Sequence, residues 1–257
     1  MGRRGMAHSL VIEAKKIKKS FVVGPNTIEV IRGVSFDIHP GDYCIFFGPS
    51  GCGKSTLLNL CSGLENPTEG KFLVRGEEIA RYTSDQKAKF RQTKIGIVFQ
   101  SFNLLKSMNV QENVALPLLA AGEPRERALK RATNLLTIFG LVKHQKNVHT
   151  ELSGGQQQRV AMARALAANP WILICDEPTG NLDSKSAKDV MEIFYHLNRK
   201  SKRTLLMVTH NPDHLHYASR VFYMKDGLIE KTETNHTRPA LQKVGDFDLE
   251  SRALEQG

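Results

Sequence analysis

The chain has 257 residues, of which 40% are hydrophobic and 24% are charged, proportions that are usual for a globular protein with an apolar core. Its longest apolar runs are far shorter than the roughly 20 residues of a membrane-spanning helix, and its start lacks the apolar stretch of a signal peptide. The formal net charge of +10 could attract nucleic acid or an anionic membrane, but no basic stretch carries interleaved aromatic residues, so no nucleic acid partner is expected.

The first part of the chain is predicted to form mainly strands. Residues 10–21 alternate loosely between apolar and polar side chains, and residues 28–38 are rich in β-branched residues. A turn at 39–42 leads into the apolar run YCIFF at 43–47, and residues 71–79 continue the strand pattern. We expect an N-terminal antiparallel β subdomain in this part of the chain.

From about residue 101 to 168 the pattern becomes helical. One helix is expected at 111–122 and another at 123–140, where a proline stands near the start and a glycine at the end. Apolar side chains in the second helix recur at helical spacing, which predicts one buried face. These side chains are Ala128, Leu129, Ala132, Leu135, Leu136 and Phe139.

The chain then alternates between apolar strands and helices. Strands are expected at 171–178 and 204–210, with a helix at 184–200 between them. A short helix at 211–218 should precede a hairpin at 220–232. Strands that are apolar throughout and alternate with helices indicate a mainly parallel sheet covered on both faces.

A glycine-rich stretch, GPSGCGKST at 48–56, follows the strand YCIFF and precedes a predicted helix. It matches G-x-x-x-x-G-K-[S/T], a loop whose glycines let the backbone N–H groups point at phosphate oxygens. A glycine turn with an incidental lysine is the alternative, but the flanking strand and helix are those that the motif requires. Lys54 should reach the β- and γ-phosphates of ATP, and the Ser55 hydroxyl should bind Mg²⁺. The residues expected at the nucleotide are Gly48, Pro49, Ser50, Gly51, Cys52, Gly53, Lys54, Ser55 and Thr56.

These elements together predict an α/β fold. It should contain a P-loop NTPase core, with a mainly parallel sheet and helices on both faces, an N-terminal antiparallel β subdomain and an inserted helical subdomain. We expect residues 1–232 to form one domain, with about 101–168 as the insert. Residues 233–257 are polar and are expected to form a poorly ordered tail.

Two carboxylates stand at the end of the apolar strand WILICDEP. Asp176 ends that strand, where parallel α/β folds place their ligands, and we assign it to the Mg²⁺ ion. Glu177 points to the other side of the chain, and we assign it as the base that orients and polarises the attacking water. The alternative is that the two side chains only cap the turn that follows.

A second glycine motif, ELSGGQQQRVAMARAL at 151–166, lies far from the first. Ser153 is a plausible N-cap for the helix that follows, and Gly154 and Gly155 leave backbone N–H groups uncovered, an arrangement that binds anions. The motif follows a helical insert that would carry it away from the sheet. One nucleotide needs only one phosphate-binding loop, so this motif needs another explanation.

The stretch LSGGQQQR, together with the glycine loop and ILICDEPTGNLDS, resembles the motif set of the ATP-binding-cassette (ABC) ATPases over roughly residues 10–230. The resemblance implies that two subunits face each other head to tail and enclose two ATP molecules. The second motif of one subunit would then close over the ATP held by the glycine loop of the other. The residues that it assigns to this contact are Ser153, Gly154, Gly155 and Gln156.

The resemblance assigns further residues in chain order. Phe21 would stack on adenine, although alone it would be an ordinary strand residue. Gln100 would contact Mg²⁺ or water and begin a loop that touches the transmembrane partner. Asp183 would lie in a loop that crosses the dimer interface. His210 would be the switch histidine that contacts the γ-phosphate, whereas an isolated histidine is more often structural.

Within the family, the stretches FQSFNLL, NVQENVALPL and DEPTGNLDS resemble the branch of lipoprotein-release, macrolide-export and FtsE-like ATPases. This implies a peripheral cytoplasmic subunit on the inner face of the cell membrane, working with a permease-type transmembrane protein. The cysteines, which show no CxxC spacing, fit a reduced compartment. One copy of each motif favours a homodimer. Two alternatives remain open: a soluble ABC-type ATPase acting on ribosomes or DNA, and a regulatory clamp for peptidoglycan remodelling.

Overall fold

A computed structural model describes residues 10–241, and all structural statements below concern that part of the chain. The first sheet is antiparallel and has the order β2-β1-β4, with β1 at Ile12–Val23, β2 at Asn26–Ile38 and β4 at Glu69–Val74. Register shifts interrupt the pairing of β1 with β2, and Lys16 there has a φ of 50°. This irregularity explains the loose alternation of the sequence, because a bulge changes which side chains face the core.

The second sheet is mainly parallel and has the order β5-β6-β7-β3-β8-β9. Its strands pair in parallel except β9, which runs antiparallel to β8. Each face packs on its own apolar cluster, which explains why the central strands are apolar throughout. The strands are β3 at Tyr43–Phe47, β5 at Ile95–Val98, β6 at Ile172–Asp176, β7 at Thr204–Thr209, β8 at Arg220–Lys225 and β9 at Leu228–Thr234.

The predicted helical insert consists of α3, α4 and α5, which pack on one another. The six side chains predicted for the inner face of α4 lie inside the fold, with only Leu129 partly exposed. Helix α3 begins with a capping box between Asn109 and Glu112. The helices are α1 at Lys54–Cys61, α2 at Ser84–Lys94, α3 at Val110–Ala120, α4 at Arg125–Ile138, α5 at Gly154–Leu166 and α6 at Ser184–Ser201.

One local expectation about the chain before the insert needs correction, and one helix there was not predicted. The strand predicted for 71–79 ends at Val74, because Arg75 and Gly76 turn the chain with φ values of 49° and 83°. Helix α2 has no buried residue, so it has no apolar periodicity to reveal it. Its start is instead marked by a capping box between Thr83 and Gln86.

The predicted fold class is confirmed, with the antiparallel sheet, the mainly parallel sheet and the helical insert all present. The predicted start of the tail at 233 falls inside β9. Beyond it the Tyr195 hydroxyl donates to the Pro239 carbonyl and Leu241 packs on the core. Residues 242–257 lie outside the described residues, so the disorder expected there stays a prediction.

Two further observations concern the cysteines and the helix lengths. Cys44, Cys52, Cys61 and Cys175 are all buried and unpaired by disulfides. Within residues 10–241, none of the helices combines the length and the apolar character that a bilayer crossing requires.

Candidate active site

Three neighbouring strands of the parallel sheet bring the predicted site residues to one edge. Strands β6, β7 and β3 are adjacent, and each ends at that edge. Asp176 pairs with Val208, and Phe47, which precedes the glycine loop, pairs with Thr209, which precedes His210. Ligand sites in α/β folds lie at the carboxyl ends of parallel strands, so the fold places these groups where a nucleotide site is expected.

The glycines of the loop at 48–56 serve different purposes. Gly51 and Gly53 have φ values of 78° and 101°, a region that favours glycine. Gly48 has no such φ, and glycine is needed there for space. A Cβ atom at Gly48 would lie 2.2 Å from the carbonyl oxygen of Met224, so a side chain there has no room.

Lys54 crosses the glycine loop with only 6% of its surface exposed. Its Nζ atom donates to the carbonyl oxygens of Gly48 and Pro49, at 2.8 Å each. A buried ammonium held by two carbonyl groups is already aligned with the loop, and an incoming phosphate would give it a charged partner.

We expect Lys54→Ala to weaken ATP binding about 10- to 100-fold, the range that charge-assisted hydrogen bonds account for. Titration with a fluorescent ATP analogue measures the change. The control is Lys71→Ala, which removes an exposed lysine of β4 and should bind the analogue as the wild type does. Equal affinity of Lys54→Ala and wild type would contradict the assignment, provided that thermal unfolding shows both folded.

Ser55 and Asp176 form the part of the site that could hold a metal ion. The Ser55 Oγ atom donates to Asp176 Oδ1 at 3.2 Å, and burial raises the pKa of Asp176 while this hydrogen bond opposes the rise. The residues described contain no group of three or more His, Cys, Asp or Glu side chains in ligating positions. One hydroxyl and one carboxylate do fit Mg²⁺, which takes few protein oxygens and completes its shell with phosphate and water.

Glu177 and His210 form a second pair at the same edge. His210 Nδ1 lies 2.6 Å from Glu177 Oε2, and the histidine side chain is 60% exposed whereas the glutamate side chain is 18% exposed. Glu177 has a φ of 45°, and its backbone N–H donates to the Val208 carbonyl. A non-glycine residue with positive φ is strained, and strain of this kind is characteristic of functional sites.

Gln100 contacts the turn that follows Glu177. The Asn181 side-chain amide donates to the Gln100 carbonyl at 3.1 Å, and the Gln100 amide nitrogen lies 3.5 Å from the Asn181 oxygen. A Cβ atom at Gly180 would lie 2.5 Å from that amide nitrogen. Asn181 was not identified from the sequence, because a single polar residue in a turn has no pattern that reveals it.

The second glycine motif begins α5 as predicted. The Ser153 Oγ atom accepts from the Gln156 backbone N–H, and the Gln156 side chain accepts from the Ser153 backbone N–H. Helix α5 packs on α3, α4, α6 and β5, whereas the glycine loop leads into α1, which packs on β2, β6 and β7. The two glycine motifs therefore belong to differently packed parts of the molecule.

Asp183 caps α6 and reaches the second motif through Ser186. The Ser186 backbone N–H and hydroxyl donate to Asp183 at 2.9 and 2.7 Å, and these bonds hold the pKa of Asp183 below its ordinary value. A Cβ atom at Gly155 would lie 2.8 Å from the Ser186 Oγ atom. The fully buried Gln158 of α5 donates to the Pro178 carbonyl. Ser186 and Gln158 thus tie α5 to the segment after Glu177, and neither was identified from the sequence.

Phe21 lies in the other sheet, near the end of β1, and is half-buried. It pairs with Ile28 of β2, and the Lys19 ammonium lies 4.8 Å from its ring centroid. Strand β2 also approaches the glycine loop, since a Cβ atom at Gly53 would lie 2.8 Å from Ile31 Cδ1. The structure therefore connects the Phe21 hairpin with the glycine loop through β2.

Comparisons with known proteins agree with this geometry. The family model described as ABC transporter matches residues 31–180. An uncharacterised ABC transporter ATP-binding protein of Thermotoga maritima is 44% identical over 223 residues, covering 87% of this chain and 95% of its own. A macrolide export ATP-binding/permease protein, MacB, of Syntrophobacter fumaroxidans is 42% identical over 245 residues. The match covers 95% of this chain but 33% of that relative, so the chain spans about a third of its length.

Among solved structures, the dimeric post-hydrolysis state of the ATP-binding cassette MJ0796, bound to ADP and Pi, aligns with a TM-score of 0.80 and 37% identity. The alignment covers 87% of this chain and 98% of that one. By its family match and by this similarity, the chain belongs to the ABC transporter family, as an ATP-binding and ATP-hydrolysing cassette domain.

Proposed function

We propose that the chain is the ATP-hydrolysing subunit of a membrane complex. It binds two ATP molecules between two copies arranged head to tail, and it couples their hydrolysis to the movement of a separate transmembrane protein. The observation that carries the proposal is the placement of the Ser55–Asp176 and Glu177–His210 pairs at one sheet edge, beside the glycine loop. The dimeric structure of the MJ0796 cassette bound to ADP and Pi supports a dimer of two such domains.

Each group at the edge has a proposed role. Lys54 and the loop N–H groups bind the phosphates. Ser55 and Asp176, with Gln100, hold a Mg²⁺ ion, which when bound would neutralise phosphate charge. Glu177 orients and polarises the attacking water, and its strained backbone fixes where the carboxylate points. His210 holds that carboxylate and contacts the γ-phosphate.

The second motif acts on the partner subunit's nucleotide. Ser153, Gly154, Gly155 and Gln156 present the start of α5, whose partial positive charge suits an anion. Ser186 contacts both Asp183 and Gly155, so it links the proposed interface loop at Asp183 to the second motif. Phe21 stacks on the adenine of the nucleotide in its own subunit.

The relatives support the proposed partner and location. A relative named as an ATP-binding/permease protein joins a similar domain to further sequence in one chain, which supports a permease-type partner for this one. We place the subunit on the cytoplasmic face of a membrane. The alternative, a soluble ABC-type ATPase acting on ribosomes or DNA, would use the same residues.

Affinity purification from detergent-solubilised cells separates these functions. Glu177→Gln protein is captured with ATP and Mg²⁺, and co-purifying proteins are identified by mass spectrometry. A stoichiometric membrane protein supports the proposal, and its extracytoplasmic part would indicate export, lipoprotein release or wall remodelling. Recovery of ribosomal or DNA-bound proteins alone would contradict the membrane role.

The loop after Gln100 is the part of the surface that we propose to contact the transmembrane partner. Two hydrogen bonds from the Arg164 guanidinium hold this loop, at the Phe102 and Asn103 carbonyls. Leu105 follows and is 41% exposed, so the loop presents an apolar side chain that a partner could contact.

We expect Leu105→Glu to reduce recovery of the membrane partner at least about tenfold, because a charge buried in an apolar contact is costly. Quantitative mass spectrometry of the purified complex measures the amount of membrane partner recovered. Leu228→Glu is the matched control, since Leu228 is equally exposed at 43% but lies on β9. Equal recovery with both variants would show that the loop after Gln100 is not part of the contact.

A further inference from the structure

The segment that follows His210 is held by a hydrogen-bond network around one buried histidine. The Thr209 Oγ1 atom accepts from the Asn211 backbone N–H at 3.0 Å and lies 3.2 Å from His214 Nδ1. The other ring nitrogen, Nε2, lies 3.4 Å from the Asn211 side-chain nitrogen. Thr209 is 2% exposed and His214 is 5% exposed, whereas Asn211 is half-buried.

The donors and acceptors of this network are consistent with one tautomer of His214. The Asp213 backbone N–H donates to Asn211 Oδ1 at 2.9 Å, which leaves the Asn211 nitrogen to face the imidazole as a donor. His214 Nε2 must then accept, so the proton of the neutral ring lies on Nδ1. The Nδ1–H group then donates to Thr209 Oγ1, which also accepts from the Asn211 backbone N–H.

The surroundings favour the neutral ring that this tautomer requires. Burial lowers the pKa of His214 from its ordinary value. The charged or titratable groups that act on it are Asp213 and Glu177, which oppose this shift, and His216 and His210, which reinforce it. A second proton would sit on Nε2 and face the Asn211 amide, placing two donors against each other.

We propose that His214 is a positioning residue for ATP hydrolysis. It connects Thr209 to Asn211, the residues on either side of His210, and so fixes the backbone from which His210 reaches Glu177. Thr209 pairs with Phe47 beside the glycine loop, which links this anchor to the phosphate-binding end of the site. The inference rests on the proposed function of Glu177 and His210.

The first test is the tautomer itself, measured on the wild-type protein by long-range ¹H–¹⁵N NMR of ¹⁵N-histidine-labelled chain. We expect Nδ1 of His214 to be protonated and Nε2 to be unprotonated at neutral pH. An Nε2–H tautomer, or a charged ring, would overturn the proposal. The tautomer is measured on the wild-type protein and does not depend on catalytic activity. The variant His214→Asn serves only to assign the His214 signal.

The second test is steady-state hydrolysis by His214→Phe, which keeps the ring volume but removes both nitrogen atoms. We expect kcat to fall about tenfold with KM for ATP little changed, because misplacing a catalytic group by a fraction of an ångström slows the reaction step. His214→Asn keeps a donor near Thr209 and should recover part of kcat. His216→Phe is the matched control, since His216 is exposed and should leave kcat unchanged.

A folded His214→Phe protein with the kcat of wild type would overturn the proposal. Failure of the proposed function has a different result: wild-type protein without ATPase activity, or full activity in His210→Ala. If His214→Phe does not fold, the tautomer measurement still decides the question. A drop in kcat that His214→Asn does not relieve, accompanied by equal loss of thermal stability in both variants, would indicate a structural role only and would also overturn it.

Discussion

Glu177→Gln is expected to lower ATP turnover at least about 100-fold, the usual contribution of a general base. The substitution keeps the size of the side chain but removes the charge that polarises water. ATP affinity should change little, because Glu177 lies beside His210 rather than in the glycine loop. Phosphate release measures turnover, and a fluorescent ATP analogue measures binding. Since hydrolysis no longer follows binding, the variant should also accumulate as an ATP-dependent dimer on size-exclusion chromatography.

The matched control for this prediction is Glu230→Gln, which makes the same change at an exposed position of β9. It should hydrolyse ATP as the wild type does. Turnover of Glu177→Gln within a few-fold of wild type would remove Glu177 as the base. Loss of ATP binding along with turnover would instead indicate that the substitution disturbs the strained backbone at this position.

The sheet that carries these residues could be predicted from sequence because its strands are apolar throughout. Strands β6 and β7 are buried along almost their whole length, and their ends are marked by the change from apolar to polar residues at Asp176 and His210. The positions of these site residues along the chain could therefore be predicted from the sequence. The contact between Glu177 and His210 could not be predicted, since it depends on which strands are neighbours in the sheet.

Residues that hold the site together from outside it were missed for a physical reason. Ser186 and Gln158 lie among other polar residues in helices, and they matter through close approach of α5 to the segment after Glu177. Gly48 was noticed as a glycine, but the carbonyl of Met224 that requires it is 176 residues away in the chain. Local patterns contain no information on such long-range packing. The exposed helix α2 was missed because its polar sequence has no buried face.

Ser153→Arg should abolish the ATP-dependent dimer while each monomer still binds ATP. In the proposed arrangement, the start of α5 meets the partner subunit's nucleotide, and a long cationic side chain at that point would separate the two surfaces. The Oγ atom of Ser153 also caps α5, and the loss of such a cap costs about 1 kcal/mol. We would measure dimerisation by size-exclusion chromatography in Glu177→Gln protein, where ATP is not consumed.

Ser153→Ala separates the two effects of this substitution, because it removes the cap without adding bulk. If the dimer forms with alanine and not with arginine, the arginine acts by occupying the interface, as the head-to-tail arrangement requires. If both variants lose the dimer, the cap of α5 itself is needed to present the second motif. A normal dimer in Ser153→Arg would contradict the cross-subunit role, since no surface that closes on ATP at Ser153 could accommodate that side chain. The second glycine motif would then have to act within its own subunit, although α5 packs apart from the glycine loop.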